Sequence, residues 1–226
     1  MRILAMDTTT GSGSVAILDD GGLVAEINSH SPSSHSARLL RSVDHLLGLA
    51  AWTIRDIEGF AVAAGPGSFT GIRIGLSTIQ AFAFASGKPV APVSSLTALA
   101  VKLRDTGGRL LCPLLDAKKG EVYGALYEPD GRGLKEIIPQ GAYGPDAFFS
   151  LLPAHRVVHF IGSGLGVYGE KLRSYLGDKA RFSERSAFIG REVGVLGKEV
   201  LKSGRGVRGE ALEPIYFRKS QAEEKK

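Results

Sequence analysis

The chain has 226 residues, 43% of them hydrophobic, with 28 Lys plus Arg against 23 Asp plus Glu and a net charge of +5 at pH 7. This length can bury a substantial core as one large domain or two small ones, and the composition excludes a disordered chain. The single cysteine excludes an internal disulfide framework and a multi-cysteine zinc site, and no run reaches the ~18 apolar residues of a membrane span.

The opening residues MRILAM are too short an apolar stretch for a signal peptide and end at Asp7, so the expected compartment is the cytosol. Residues 2–6, 14–18 and 23–27 read as three short strands, with Asp19-Asp20-Gly21-Gly22 as hairpin chemistry. Leu39, Leu40, Val43, Leu46 and Leu47 form one apolar stripe and predict a helix over 34–49, capped by Ser33 or Ser34. A buried strand over 59–64 runs into the Gly- and Pro-rich loop 65–71. The helix predicted over 70–86 is apolar on two sides, with Ile72, Leu76, Ile79 and Ala83 on one and Ile74, Ala81, Phe82 and Ala85 on another. Its own sheet can cover one side, and the other needs more of this chain or another protein. A strand near 90–93, a helix near 95–104 and the turn Asp105-Thr106-Gly107-Gly108 complete a first domain, 1–106.

The second domain, 107–226, opens with the strand Leu110–Leu115, ending at Asp116. At one fixed offset Asp7 overlays Asp116, Gly11 overlays Gly120, Ala16 overlays Ala125 and Gly22 overlays Gly131. A repeated strand–turn–strand with Asp at the first turn indicates duplication. This pattern resembles the actin-like ATPase fold, which is ribonuclease H-like and pairs two similar αβ subdomains. In that fold the first hairpin loop of each subdomain faces nucleotide phosphates, because backbone N–H groups and hydroxyls in a Gly turn can cradle them. The candidate cleft residues are Asp7, Thr8, Thr9 and Thr10, then Asp116, Lys118 and Lys119, and the turn Gly162-Ser163-Gly164. A carboxylate at a strand end could also orient a water or a hydrated metal. Any one of these loops alone reads as a plain turn; all three in this order read as a nucleotide cleft, real, vestigial or completed by a partner.

His155 and His159 have HxxxH spacing, but residues 156–161 read as a strand, in which four residues span about 13 Å. They cannot share one ion, and no metal is expected. GPGSFTG lacks the Lys-Ser/Thr ending of a Walker loop and the serine placement of a hydrolase elbow. Arg and Lys at 202, 205, 208, 218 and 219 read as a solvated face, and the tail 220–226 carries no assigned role.

Five segments together carry a more specific resemblance: ILAMDTTT at 3–10, His35-Ser36 with Leu39-Leu40, AAGPGSFTGIRIGLSTIQAFA at 63–83, LLDAKKGEVYGALY at 114–127 and PIYFR at 214–218. On these the chain resembles the TsaB (YeaZ) family along essentially its whole length. The resemblance implies a noncatalytic partner of a TsaD-type enzyme, acting with a TsaE-type ATPase to form threonylcarbamoyladenosine beside the anticodon of ANN-decoding tRNAs. It implies tRNA contact through the complex, a homodimer in isolation, no cofactor for the chain alone and ATP or ADP in the complex. The partner surface would be the helices at 34–49 and 70–86, with His35, Leu39, Phe69, Arg73, Ile74 and Phe82 as candidates. The competing reading is a small phosphotransferase or ATPase of the actin-like fold.

Overall fold

The computed structural model describes residues 1–30, 35–105, 107, 109–131 and 133–218, without the side chains of residues 35–38. Two five-stranded sheets carry the chain. The first contains β1 (Ile3–Asp7), β2 (Ser12–Asp19), β3 (Gly22–His30), β4 (Gly59–Gly65) and β5 (Val90–Ser94). Its helices are α1 (His35–Leu49), α2 (Phe69–Ser86) and α3 (Ser95–Lys102). The second contains β6 (Leu110–Lys118), β7 (Glu121–Asp130), β8 (Gly133–Tyr143), β9 (Val158–Ile161) and β10 (Ala180–Phe182), with α4 (Pro145–Leu151) and α5 (Leu165–Leu176); the last helix, α6 (Gly190–Lys202), follows in the chain but packs on the first sheet. Strand order is β3-β2-β1-β4-β5 in the first sheet and β8-β7-β6-β9-β10 in the second. Each begins as an antiparallel meander and continues with two parallel strands. The duplication read from the overlay of Asp7 and Asp116 is thus an identity of topology.

In the first sheet β1 is buried on both faces, as its unbroken apolar run requires. Leu4, Met6, Phe60 and Val62 face a core shared with Val43 and Leu46 of α1 and Ile72, Leu76 and Ile79 of α2. Helix α6 lies on the opposite face, across β1, β2, β4 and β5. It sits close because Gly194 and Gly197 leave room: a Cβ there would stand 2.1 Å from Leu18 Cδ1 or 2.3 Å from Ala61 Cβ. Its first turn is held by the sheet, where Ser14 Oγ accepts from Gly190 N (3.0 Å) and Glu26 Oε1 from Arg191 N (3.0 Å). Carboxylate and hydroxyl acceptors there satisfy otherwise orphaned N–H donors.

The second sheet packs Leu110, Cys112, Leu114, Val158 and Phe160 against Phe148 and Phe149 of α4 and Leu172 and Leu176 of α5. The chain divides into two compact units, 1–98 with 188–216 and 99–187 with 217–226. This differs from the expected division at 106/107. Helix α6 follows the second repeat in sequence, but its glycine face fits the first sheet. The caps Ser33 and Ser34 and the tail 220–226 lie outside the described residues.

Candidate functional site

The loop after β1 is closed. Asp7, Thr8 and Thr9 are each 1% exposed. Asp7 Oδ1 accepts from the backbone N–H of Thr9 (2.8 Å) and from Thr9 Oγ1 (2.6 Å), and Ser95 Oγ donates to Thr9 Oγ1 (3.3 Å). Burial pushes the Asp7 carboxyl up from 3.8 to about 6, although the two Thr9 hydrogen bonds pull it down. Thr8 Oγ1 donates to the Gly71 carbonyl (2.6 Å), and Thr9 O accepts from Ser68 N (2.6 Å). Thr10, partly exposed, bonds Ser12 N and O at 3.1 Å. The polar atoms expected to meet phosphate are therefore engaged within the unit.

The GPGSFTG-x-R-x-G segment forms this seal. A Cβ on Gly67 would stand 2.2 Å from Thr9 O, and one on Gly71 would stand 1.9 Å from Thr8 O. Only glycine allows the first turn of α2 to lie directly on the Thr8-Thr9 backbone. Ser68, the serine of the motif, caps α2 by accepting from Gly71 N (3.3 Å). Phe69 stacks between Arg73 (4.0 Å to the ring centroid) and Tyr216 (5.2 Å between centroids). Ile215 N donates to Ala64 O (2.7 Å), which gives the Pro214–Tyr216 part of the C-terminal motif its structural place.

The equivalent loop in the second unit repeats one device and changes the rest. Asp116 Oδ1 accepts from Lys118 N (2.9 Å), the same bond two residues ahead that Asp7 makes. Here β6 and β7 continue to the pair Lys118↔Glu121. Lys119 (φ 52°) and Gly120 (φ 78°) form a two-residue turn with both φ values positive, as a primed hairpin turn requires. Lys118 Nζ lies 2.7 Å from Asp116 Oδ2. Partial burial pushes the Asp116 carboxyl up, and the Lys118 hydrogen bonds and charge outweigh it, leaving it below its ordinary value. Ser163 Oγ accepts from Asp116 N at 3.5 Å. Gly162 (φ +119°) and Gly164 pack against the Leu114 carbonyl. Gly65, at the corresponding turn after β4, has the same φ of +119°. Gly65-Pro66-Gly67 and Gly162-Ser163-Gly164 are thus a second trace of the duplication, one that the fixed-offset overlay misses because the helices before the two turns differ in length.

Among the described residues no group of three His, Cys, Asp or Glu could hold a metal. His159 lies on β9 and His155 in the turn before it, not on one helix.

The candidate partner residues divide. Leu39 is 4% exposed and belongs to the core, so its place on the expected surface is corrected: the stripe that predicts α1 is the stripe the sheet covers. Ile74 and Phe82 pack partly against that core, with Phe82 stacked on Phe60 at 6.0 Å. Arg73 is exposed, Phe69 is half-buried, and the His35 side chain lies outside the described residues. Phe84, which sequence reasoning missed, is 82% exposed. Arg73, Ser77, Ala81 and Phe84 follow at steps of 4, 4 and 3, one exposed stripe along α2. That spacing was the available signal. On α1, Leu40 (55%) and Leu49 (66%) are also exposed.

Comparison with known proteins places this geometry. A family model described as "TsaD: tRNA N6-adenosine threonylcarbamoyltransferase" matches residues 12–225. The tRNA threonylcarbamoyladenosine biosynthesis protein TsaB of Bacillus subtilis is 33% identical over 228 aligned positions, covering 100% of this chain and 97% of that protein. The structure of YeaZ from Pseudomonas aeruginosa superposes with a TM-score of 0.83 at 28% identity, over 95% of this chain and 99% of that one. A ROK hexokinase from Thermus thermophilus shares the fold alone, with a TM-score of 0.52 at 14% identity over 89% of this chain and all of that one. The fold is therefore the actin-like one that the repeat indicated. Full-length identity, whole-chain superposition and the glycine seal around the first loop agree, and the chain belongs to the TsaB (YeaZ) family.

Proposed function

We propose that this chain acts in forming threonylcarbamoyladenosine on tRNA as the noncatalytic partner of a TsaD-type transferase, joined through the exposed face of α2 and the adjoining surface of α1. The observation that carries this reading is the Arg73–Phe84 stripe. It is an exposed helix face with an aromatic side chain 82% open to solvent and an Arg at its other end, the residue types that anchor interfaces. The sealed first loop supports a noncatalytic role, because the Thr8 and Thr9 groups that would cradle phosphate already bond Gly71 and Asp7. The same fact counts against a phosphotransferase acting alone. Nucleotide, tRNA and a TsaE-type ATPase enter this reading as components of the larger assembly, and a second copy covers the same stripe when the transferase is absent.

Light scattering on a sizing column tests it, using the chain alone and mixed with the TsaD-type protein of the same organism. A one-to-one complex is expected, weakened by Phe84→Glu and retained in a variant altered at Val167, which is exposed on α5. No complex with the wild-type chain, together with ATP turnover by the chain alone, would replace this reading with the phosphotransferase one.

A further inference from the structure

The second sheet has a face turned away from the α4 and α5 core, and positive charge gathers there around His159. Arg181 pairs with His159 across β10 and β9, and His159 pairs with Leu111 across β9 and β6. The alternate residues Phe182, Phe160 and Cys112 belong to the core, so Arg181 and His159 share the other face. Arg109, two residues before Leu111, places NH1 3.0 Å from His159 Nε2. A guanidinium only donates, so Nε2 accepts and the proton of the neutral ring is assigned to Nδ1. That Nδ1 is buried and has no hydrogen-bond partner among the described residues. Burial first, then Arg109, Arg181 and Arg185, hold His159 below its ordinary value, so the ring stays neutral. Arg185 NH1 donates to the Lys102 carbonyl, fixing its guanidinium. Arg109, Arg181 and Arg185 are exposed, and among the described residues none of them meets a carboxylate at ion-pair distance.

Most of the basic residues singled out by sequence run differ in this respect. Lys202 pairs with Asp20, Arg208 with Glu210 and Arg218 with Glu121, the Arg205 side chain bonds only the Ser203 hydroxyl among the described residues and stands alone, and Lys219 lies outside the described residues. Arg109, Arg181 and Arg185 are a group of guanidinium groups without such a partner among the described residues that gather around one side chain, His159. Three exposed guanidinium groups around His159, none held by a carboxylate at ion-pair distance among the described residues, suit the phosphates of a nucleic-acid backbone.

We propose that Arg109, Arg181 and Arg185 form a surface that binds the phosphate backbone of tRNA. The proposal rests on the tRNA-modification reading above for its choice of nucleic acid. The surface is sequence-independent: it adds affinity and orientation and reads no base.

The test is fluorescence anisotropy of a labelled, unmodified tRNA transcript titrated with the full chain at several salt concentrations. Wild-type binding is expected at about 10⁻⁴–10⁻⁶ M, the range of nonspecific nucleic-acid contact, weakening steeply with salt. Arg181→Glu, at a side chain with no structural bond among the described residues, should weaken binding at least ~10-fold and reduce the logarithmic salt slope by about one; adding Arg109→Glu should reduce it by about one more. Arg181→Lys should retain most of the affinity, and circular dichroism should show every variant folded. Unchanged affinity and slope in the double variant would overturn the proposal, as would full competition by millimolar inorganic phosphate, which would mark a small-anion site. Complex formation with the TsaD-type protein is measured on the same variants. If that complex is absent while the salt slope still responds to Arg181, the partner reading fails and the RNA surface stands. If the complex forms and the slope does not respond, the RNA surface fails alone.

Discussion

Gly71→Ala is the sharpest test of the seal over the first loop. In an ordinary helix interior, replacing Gly by Ala gains about 0.5–1 kcal/mol, because the unfolded chain loses freedom. At Gly71 the new Cβ would stand 1.9 Å from the Thr8 carbonyl oxygen and 3.1 Å from the Thr8 carbonyl carbon. Both are backbone atoms, held by the Thr8–Gly71 and Thr9–Ser68 hydrogen bonds, so no side chain can swing aside. Overpacking typically costs ~1–3 kcal/mol, and an immovable backbone puts this case at the upper end. The clash therefore outweighs the propensity gain by about 2 kcal/mol, or ~4–8 °C in Tm for a chain of this size. Gly48→Ala is the matched control, since it lies in α1 and a Cβ there meets nothing within 4 Å; it should stabilise by up to ~1 kcal/mol. Trp52 is the chain's one tryptophan and lies in the same compact unit, so its fluorescence in a urea titration reads this unit. A Gly71→Ala midpoint at or above wild type would refute the close packing of α2 on the Thr8-Thr9 backbone.

Other outcomes follow from the same structure. The folded Asp7 carboxyl sits at about 6 against an ordinary 3.8, so the folded state holds its proton more tightly; stability from this group is full below pH ~4 and falls as pH rises through 6. The difference corresponds to about 3 kcal/mol, and Asp7→Asn, which keeps an oxygen acceptor for Thr9, should flatten the decline in urea midpoint between pH 4 and 7 by that order. Cys112 is fully buried, and burial pushes its thiol well up, so a thiol reagent should label it only when the second unit opens, on a time course separable from the Trp52 signal. Leu39→Ala should cost about 2–5 kcal/mol by leaving a cavity under α1, whereas Phe84→Ala should leave the urea midpoint within ~0.5 kcal/mol and weaken transferase binding by 2 kcal/mol or more, about 30-fold.

Local pattern was enough for most elements. The apolar run before Asp7, the Gly-rich turns and the period of Leu39, Val43 and Leu46 placed strands and helices within a few residues, since each depends on neighbours in sequence. The overlay of Asp7 with Asp116 reached further, to the duplicated topology, and the GPGSFTG segment to the family. Burial is decided differently. Helical period shows that α2 has two apolar sides and α1 one, but coverage depends on chain far away in sequence. Leu39 therefore proved to be core, Phe84 stands open, and α6 returns to the first sheet. Likewise, hydroxyls beside an Asp are potential phosphate ligands in any sequence. Only the packing of α2, 63 residues downstream, shows the Thr8 hydroxyl already bonded to Gly71. The positive cluster around His159 is also a tertiary fact: strand pairing brings Arg109 and Arg181 to His159, and Arg185 is held on the Lys102 carbonyl, joining positions that no sequence window contains.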